Sequence, residues 1–138
     1  SDRLAKWSDR IELRQIGSNQ PQMSDGSPPV GVSINAIDRF VATYVFDLME
    51  RHPLGSQCFA PMGGSEYLVI VAPDEGGAPG APVAFHARAH QCAYIGRNIW
   101  HGVLAPIAGS GLFAVIDRIG AGPNLEEARL PAPVTVTV

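Results

Sequence analysis

Glycine and proline occur so often in this chain that long helices have little room. The 138 residues include 15 glycines and 12 prolines, and both residue types interrupt helices and favour turns. Short apolar runs between these breaks have the length and periodicity of strands. Because closure removes exposed strand edges, the pattern predicts an all-β fold. We expect a β-barrel or jelly roll of eight or nine strands without a long helix.

Residues 40–50 form the clearest predicted strand, because apolar side chains recur at every second position. If the alternation continues beyond this run, Glu50 and His52 lie on its inward face. Phe46 and Leu48 are predicted to share that face with them. A carboxylate and an imidazole would then point into an apolar interior.

Residues 66–72 are almost continuously apolar, which predicts a strand that is buried on both faces. The other predicted elements are strands at 11–16, 30–34, 83–85, 91–95, 112–120 and 134–138, loops at 18–29 and 74–82, and a helical turn at 125–130.

The size and charge of the chain limit its class. At 138 residues it is long enough to be one domain with its own core. Residues 1–29 are predicted to be an N-terminal arm, strand and loop, and residues 30–138 the barrel. A net charge of −3 lacks the basic footprint of a nucleic-acid-binding protein, and no apolar run reaches the length of a membrane span. We expect neither nucleic acid nor membrane as a partner.

Cysteine usage bears on the compartment. Cys58 and Cys92 are far apart in the sequence and form no Cys-x-x-Cys motif, so two buried free thiols are favoured over a disulfide. No basic segment followed by an apolar one marks secretion. The expected location is therefore a reducing cytoplasm.

Two polar clusters, each beside a β-type run, predict a site inside the barrel. Residues 49–57 contain Glu50, His52 and Gln57, and residues 96–102 contain His101. A barrel can point side chains from distant strands into one pocket, so these four residues are the candidate catalytic set. A carboxylate facing an apolar interior has a raised pKa, which suits proton transfer near neutral pH. The alternatives are an ion pair between Glu50 and Arg51, and a local role for His52 in capping the turn before Pro53.

His52, Gln57 and His101 also form a candidate metal site. Catalytic metals commonly take three protein ligands, and imidazole suits zinc, nickel or iron. An amide oxygen is a weaker ligand than a carboxylate, so a metal-free site is the alternative. His86 and His90 are expected to be surface residues.

Two arginines are candidate anchors for a substrate carboxylate, because a guanidinium group binds a planar acid through two parallel hydrogen bonds. These are Arg97 and Arg118, with an ion pair between Asp117 and Arg118 as the alternative role. Trp100, as a wall of the pocket, and Asn98 complete the predicted substrate-binding residues.

Several blocks of this sequence resemble those of the ureidoglycolate lyases, a branch of the cupin-like barrels. The resemblance covers roughly the last two thirds of the chain, with the blocks in order and at similar spacing. The blocks are Glu50-Arg51-His52-Pro53-Leu54-Gly55-Ser56-Gln57, then Phe59 and Pro61, residues 67–72, Ala84-Phe85, Gln91, Arg97-Asn98-Ile99-Trp100-His101, Ile116-Asp117-Arg118 and Asn124.

The resemblance implies a cupin-like jelly roll (double-stranded β-helix), a homodimer and a cytoplasmic enzyme. That enzyme is a carbon–nitrogen lyase releasing urea from ureidoglycolate to give glyoxylate, in allantoin and purine catabolism. It implies His52 or Glu50 as base, His101 as acid, and Arg97 or Arg118 as carboxylate holder. A divalent ion (nickel, zinc or manganese) is present in one version of this scheme and absent in the other. The alternatives are a related lyase or hydrolase acting on another small polar acid, and a catalytically silent module that binds a small acid.

The chain departs from the family pattern at two places. Ile95-Gly96 stands where the family usually carries an aromatic residue and a histidine. After Trp100, a single histidine is followed by Gly102, where the family usually has a second histidine. Two expected imidazoles are therefore missing near the predicted pocket.

Overall fold

The structure is a computed structural model that describes residues 11–12, 30–37 and 43–138. These residues form thirteen strands and no helix, which confirms the all-β prediction. The strands are β1 (Ile11–Glu12), β2 (Val30–Ala36), β3 (Thr43–Arg51), β4 (Gln57–Met62), β5 (Glu66–Ala72), β6 (Asp74–Glu75), β7 (Ala78–Pro79), β8 (Val83–Ala87), β9 (Ala93–Ile95), β10 (Trp100–Gly102), β11 (Ala105–Ala108), β12 (Leu112–Arg118) and β13 (Glu126–Thr137).

The predicted count of eight or nine strands was too low, because β4, β10 and β11 carry too few alternating residues to be recognised. The predicted helical turn at 125–130 is wrong, since β13 takes up that segment and the predicted C-terminal strand. Part of the predicted loop at 74–82 is a small hairpin of β6 and β7. The predicted N-terminal arm, and most of the strand and loop that follow it, lie outside the described residues.

Two antiparallel sheets contain most of the described residues. One has the strand order β1-β2-β12-β4-β9. The other has the order β11-β5-β10-β3-β13, and β8 also pairs with β5. This is the arrangement of a cupin-like jelly roll. Apart from the pairs β1–β2 and β6–β7, described strands that follow each other in the sequence are not hydrogen-bonded neighbours. Residues that are distant in sequence therefore lie side by side.

β5 is buried on both faces, as its apolar composition predicted. Side chains from its two faces enter two different clusters. The Tyr67 cluster consists of Phe59, Tyr67, Ala87, Ile95, Leu104, Phe113 and Val115. The Met49 cluster consists of Phe46, Met49, Leu68, Ile70, Ala72, Trp100, Ala105 and Leu130. Because neighbouring residues of β5 alternate between the two, this strand separates them.

The alternation along β3 slips once, and one prediction fails there. Phe46 and Met49 are three residues apart, yet both pack in the Met49 cluster, so Phe46 lies on the opposite face from Glu50. The register of the partner strand shifts at the same place, between Arg129 and Val134. Prolines in that segment of β13 lack the N–H that continuous pairing needs.

Cys58 and Cys92 are both free thiols, as expected. The prediction that both are buried is wrong, since Cys58 is half-buried and Cys92 is exposed. Across the described ranges, no helix has the length and apolar character needed to span a membrane.

Candidate functional site

Strand pairing brings Glu50 and His101 together from opposite parts of the chain. His101 in β10 is the direct partner of Glu50 in β3 and of Val71 in β5, and paired residues of adjacent strands share a face. His101 is almost completely buried, with 1% of the residue exposed. This face is the one opposite the Met49 cluster.

His52 joins them because it follows Glu50 by two residues. Its ring centre lies 5.3 Å from that of His101. One Glu50 carboxylate oxygen, Oε1, is 4.0 Å from His52 Nε2 and 3.9 Å from His101 Nδ1. We call Glu50, His52 and His101 the central cluster.

The His52 ring is held in one orientation and one tautomer. Its Nδ1 lies 2.6 Å from the backbone oxygen of Asn124, and a carbonyl only accepts hydrogen bonds, so Nδ1 must carry the proton. Nε2 is buried and has no partner among the described residues. Asn124 Oδ1 also accepts the backbone N–H of Leu54, and the N–H of Asn98 donates to the His52 oxygen. His52 therefore has an unprotonated, unpartnered Nε2, and its backbone is fixed by the hydrogen bond from Asn98.

His101 presents a bare nitrogen in the same way. Its Nδ1 lies 3.1 Å from the oxygen of Gly102, and its buried Nε2 is unpartnered within the described part of the chain. Burial lowers the pKa of His101 from 6.5 to about 4. At neutral pH the ring is uncharged and serves as a hydrogen-bond acceptor or a metal ligand.

Burial has the opposite effect on Glu50. Loss of solvent raises the pKa of Glu50 above its ordinary 4.5, and nearby His52 partly offsets this. The alternative of an ion pair between Glu50 and Arg51 does not form. Arg51 donates instead to Asp74 and Glu126, on the other side of the strand.

Gln57 lies near the central cluster, because it shares a face of β4 with Phe59, whose ring centre is 6.2 Å from that of His101. Gln57 Nε2 donates to Asp117 Oδ2 at 3.2 Å, and the buried Gln57 Oε1 has no hydrogen-bond partner in the described ranges. Asp117 Oδ1 accepts the backbone N–H of Arg118 at 2.7 Å. Sequence reasoning did not include Asp117 or Asn124 in the site. Their only sequence signal was their place in the blocks shared with the family.

The central cluster has donors suited to a divalent metal ion. Glu50, His52 and His101 each offer one ligand atom, and these atoms all lie within 4.8 Å of one another. Two imidazoles and one carboxylate suit zinc, nickel or manganese. The predicted ligands His52 and His101 are thus joined by Glu50, and Gln57 Oε1 stays a candidate fourth ligand.

Trp100 lies on the opposite face of β10 from His101, within the Met49 cluster. Its indole N–H donates to Asp74 Oδ1 at 2.8 Å, and the Arg51 guanidinium carbon is 4.4 Å from its ring centre. This N–H is the main cause of the lowered pKa of Asp74. Its contacts brace the two strands that carry Glu50 and His101.

The other predicted substrate-binding residues lie beside the site, and Asn98 contacts it through its backbone N–H, which donates to the His52 oxygen. Asn98 has a positive φ of 64° in the turn before β10, a conformation that asparagine tolerates. Arg97 is exposed on that turn, and half-buried Arg118 donates to the oxygen of Ala121. Among residues 43–138, no hydrogen bond or ion pair joins either arginine to the central cluster. His86 and His90 are exposed, as predicted.

The two departures from the family pattern differ in consequence. A Cβ at Gly102 would lie 3.1 Å from the Cβ of Ile70, so a side chain there would enter the Met49 cluster and point away from the site. A Cβ at Gly96 would make an ordinary contact of 3.5 Å with Ile99. Glycine at 102 thus removes nothing from the central cluster.

A family model described as ureidoglycolate lyase matches residues 7–137. Ureidoglycolate lyase 2 of Rhizobium meliloti is 52% identical over 89 residues, covering 64% of this chain and 55% of that protein. The ureidoglycolate lyase of Rhodobacter capsulatus is 47% identical over 112 residues, 81% of this chain and 70% of that protein. That of Chelativorans sp. is 46% identical over 107 residues, 78% of this chain and 65% of that protein. For two of these three relatives, the chain spans less than two thirds of their length.

Proposed function

The chain belongs to the ureidoglycolate lyase family, and from this premise we propose that it is a carbon–nitrogen lyase. Its proposed reaction releases urea from ureidoglycolate and leaves glyoxylate, a step of allantoin and purine breakdown. The central cluster supports this proposal most strongly, because a carboxylate with only 13% of its side chain exposed lies about 4 Å from two imidazole rings. Two of these groups, His52 and Glu50, are proposed to exchange protons with the substrate.

The reaction needs three groups from the protein. The carbon that reacts carries a hydroxyl, a carboxylate and a ureido nitrogen. A base takes the hydroxyl proton, the carbon–oxygen double bond forms, and the carbon–nitrogen bond breaks with its electron pair going to nitrogen. An acid returns a proton to that nitrogen, and a cation holds the carboxylate. Protons and electrons balance without an external oxidant or reductant.

His52 is the proposed base. Its bare Nε2 accepts the hydroxyl proton, while its Nδ1–H stays on the oxygen of Asn124. That carbonyl stabilises the imidazolium that forms, as the orienting acceptor does in other acid–base pairs. His101 is less suited to this role, because its surroundings resist a positive charge.

Glu50 is the proposed acid. Burial raises its pKa, so a larger fraction of the carboxyl group holds a proton near neutral pH. Sequence reasoning gave the acid role to His101, which is untested. The lowered pKa of His101 favours a neutral ring that accepts a hydrogen bond from substrate or binds a metal.

Arg97 and Arg118 are the candidate holders of the substrate carboxylate. Arg97 lies on the turn whose Asn98 N–H is bonded to His52, which supports Arg97 as the first to test. Replacing the correct arginine by alanine should raise KM more than it lowers kcat, because binding is lost while the acid and base stay.

A divalent metal ion is compatible with the site. Glu50, His52 and His101 would then hold the ion instead of exchanging protons, with Gln57 as a further ligand, and the ion would lower the pKa of the substrate hydroxyl. Elemental analysis of the purified protein, followed by chelation, distinguishes catalysis with a divalent ion from catalysis without one. Activity that is lost on chelation and restored by nickel, zinc or manganese supports a metalloenzyme; unchanged activity supports metal-free catalysis.

The products distinguish a lyase from a hydrolase. We expect urea and glyoxylate in equal amounts, without ammonia, after correction for spontaneous decay of ureidoglycolate. Ammonia in place of urea would identify hydrolysis of the ureido group and overturn the lyase assignment. Absence of any enzyme-dependent product would favour a silent module that binds a small acid.

A homodimer and a cytoplasmic location belong to the same proposal. The two free thiols support a reducing compartment. Light scattering on a size-exclusion column would give the mass of the assembly, with twice the chain mass of 14.6 kDa expected.

A further inference from the structure

Three hydrogen-bond acceptor atoms are buried at the central cluster and at Gln57 beside it. His52 Nε2, His101 Nε2 and Gln57 Oε1 are the buried side-chain atoms without a partner in the described part of the chain. Both imidazoles have their proton on Nδ1, next to a backbone oxygen. The two Nε2 atoms therefore accept hydrogen bonds. We call these two atoms and Gln57 Oε1 the acceptor wall; its third member is an acceptor only if the Gln57 amide keeps its oxygen toward the site.

Asp117 determines which end of the Gln57 amide faces the site. Both carboxylate oxygens of Asp117 already accept hydrogen bonds, one from the Arg118 backbone and one from Gln57 Nε2. A carboxylate that only accepts can bind only the amide NH₂. Gln57 Oε1 is consequently turned inward, and a flipped amide would place oxygen against oxygen.

Asp117 is placed for this role by β12. It lies on the same face as Phe113 and Val115, two residues of the Tyr67 cluster, because side chains alternate along a strand. β12 pairs with β4, the strand that begins at Gln57. Asp117 is thus close to the site through strand pairing, although 60 residues separate it from Gln57.

We propose that Asp117 is a positioning residue that fixes the site as an acceptor wall for a ligand rich in N–H and O–H donors. The inference rests on the proposed function and deepens it, since it directs the substrate hydroxyl to His52 Nε2 and the ureido N–H groups to the other two acceptor atoms. A ureido group offers donors on both nitrogens. The substrate carboxylate, which only accepts, then points away from these three atoms.

Two unreactive probes test this polarity. N-carbamoylglycine has the ureido and carboxylate groups but lacks the hydroxyl needed for elimination. N-acetylglycine has a methyl group in place of the terminal NH₂ and is otherwise matched in size and charge. Calorimetry with the intact protein should give at least tenfold tighter binding of N-carbamoylglycine, because a site built for N–H donors discriminates against an analogue that lacks them.

Asp117→Asn tests the positioning role. An asparagine can donate as well as accept, so Gln57 is no longer forced to turn its oxygen inward. The preference for N-carbamoylglycine should fall below threefold. The matched control is Asp47→Asn, which breaks an exposed ion pair with Arg129 and should keep the full preference. A ratio of two dissociation constants does not change when a variant merely loses active protein.

The outcomes separate the inference from the lyase assignment. Equal binding of the two probes by wild type, or an unchanged preference in Asp117→Asn, overturns the inference. If Asp117→Asn does not fold, Gln57→Leu serves instead, and an undiminished preference there overturns it too. A preference that depends on Asp117 in a protein that releases no glyoxylate would support the acceptor wall while the lyase proposal fails.

Discussion

At the scale of single residues, His101 gives a test based on pH. Its pKa is about 4 in the folded protein and 6.5 when unperturbed. Between these values the unfolded chain binds more protons, so the contribution of His101 to the free energy of unfolding rises with pH across that window. Above pH 6.5 the contribution no longer changes, and its total change across the window is about 3 kcal/mol at most.

Glu50 acts in the opposite direction, because its raised pKa makes the folded state bind more protons as pH rises above 4.5. The contribution of His101 is therefore measured as the free energy of unfolding of wild type minus that of His101→Gln. Denaturant unfolding of both proteins between pH 4 and 7.5, with chelator present, gives this difference. The difference should increase by about 1–3 kcal/mol as pH rises to 6.5. A difference independent of pH would contradict a neutral, buried His101.

Glu50→Gln separates activity from stability. The amide cannot supply the proton that the scheme requires, so glyoxylate release should fall at least about 100-fold. Stability should be unchanged or higher, because the amide carries no charge to desolvate. Circular dichroism melting and a glyoxylate assay measure the two effects. Glu66→Gln, at the His86 ion pair, is the control. A loss below tenfold would remove Glu50 as the acid.

At the scale of elements, β3 and β10 carry the site on one face and a bracing network on the other. Trp100→Phe removes the hydrogen bond to Asp74 and weakens the contact with Arg51. We expect a loss of about 1–2 kcal/mol of stability with KM changed less than threefold. A large increase in KM at full stability would instead support the sequence-based prediction that Trp100 contacts substrate.

The two glycines at departures from the family also give a prediction at this scale. Gly102→His places a side chain against Ile70 in a buried cluster and should cost about 1–3 kcal/mol or prevent folding. Gly96→His meets only an ordinary contact and should cost less than about 1 kcal/mol. Urea unfolding of both variants compares them. Equal costs would contradict the placement of residue 102 in the Met49 cluster.

Local periodicity predicted part of each element and missed what depends on pairing. The two-residue spacing of Glu50 and His52 was enough to place them on one face. The face of Phe46 was misjudged, because the slip arises in β13, where the prolines that interrupt pairing are about 85 residues away in sequence. The helical turn predicted for 125–130 is replaced by antiparallel pairing with β3, since long-range pairing can override local helix propensity.

At the scale of the whole molecule, the class of fold followed from the frequent glycines and prolines and from the need to close strand edges. The candidate site followed only in part. Glu50, His52, Gln57 and His101 were identified, but Asp117 and Asn124 were not. Both act through contacts with residues 60 or more positions away, which no local pattern in one sequence encodes.

The proposed lyase activity depends on the half-buried Glu50 carboxylate and the two imidazoles beside it. The most direct measurement is the initial rate of glyoxylate release from ureidoglycolate by wild type, His52→Ala and His86→Ala, corrected for spontaneous decay. We expect release by wild type, a loss of at least about 100-fold in His52→Ala, and an unchanged rate in His86→Ala, whose histidine is an exposed surface residue. Enzyme-dependent release that survives in His52→Ala, or no release by wild type, would contradict this proposal.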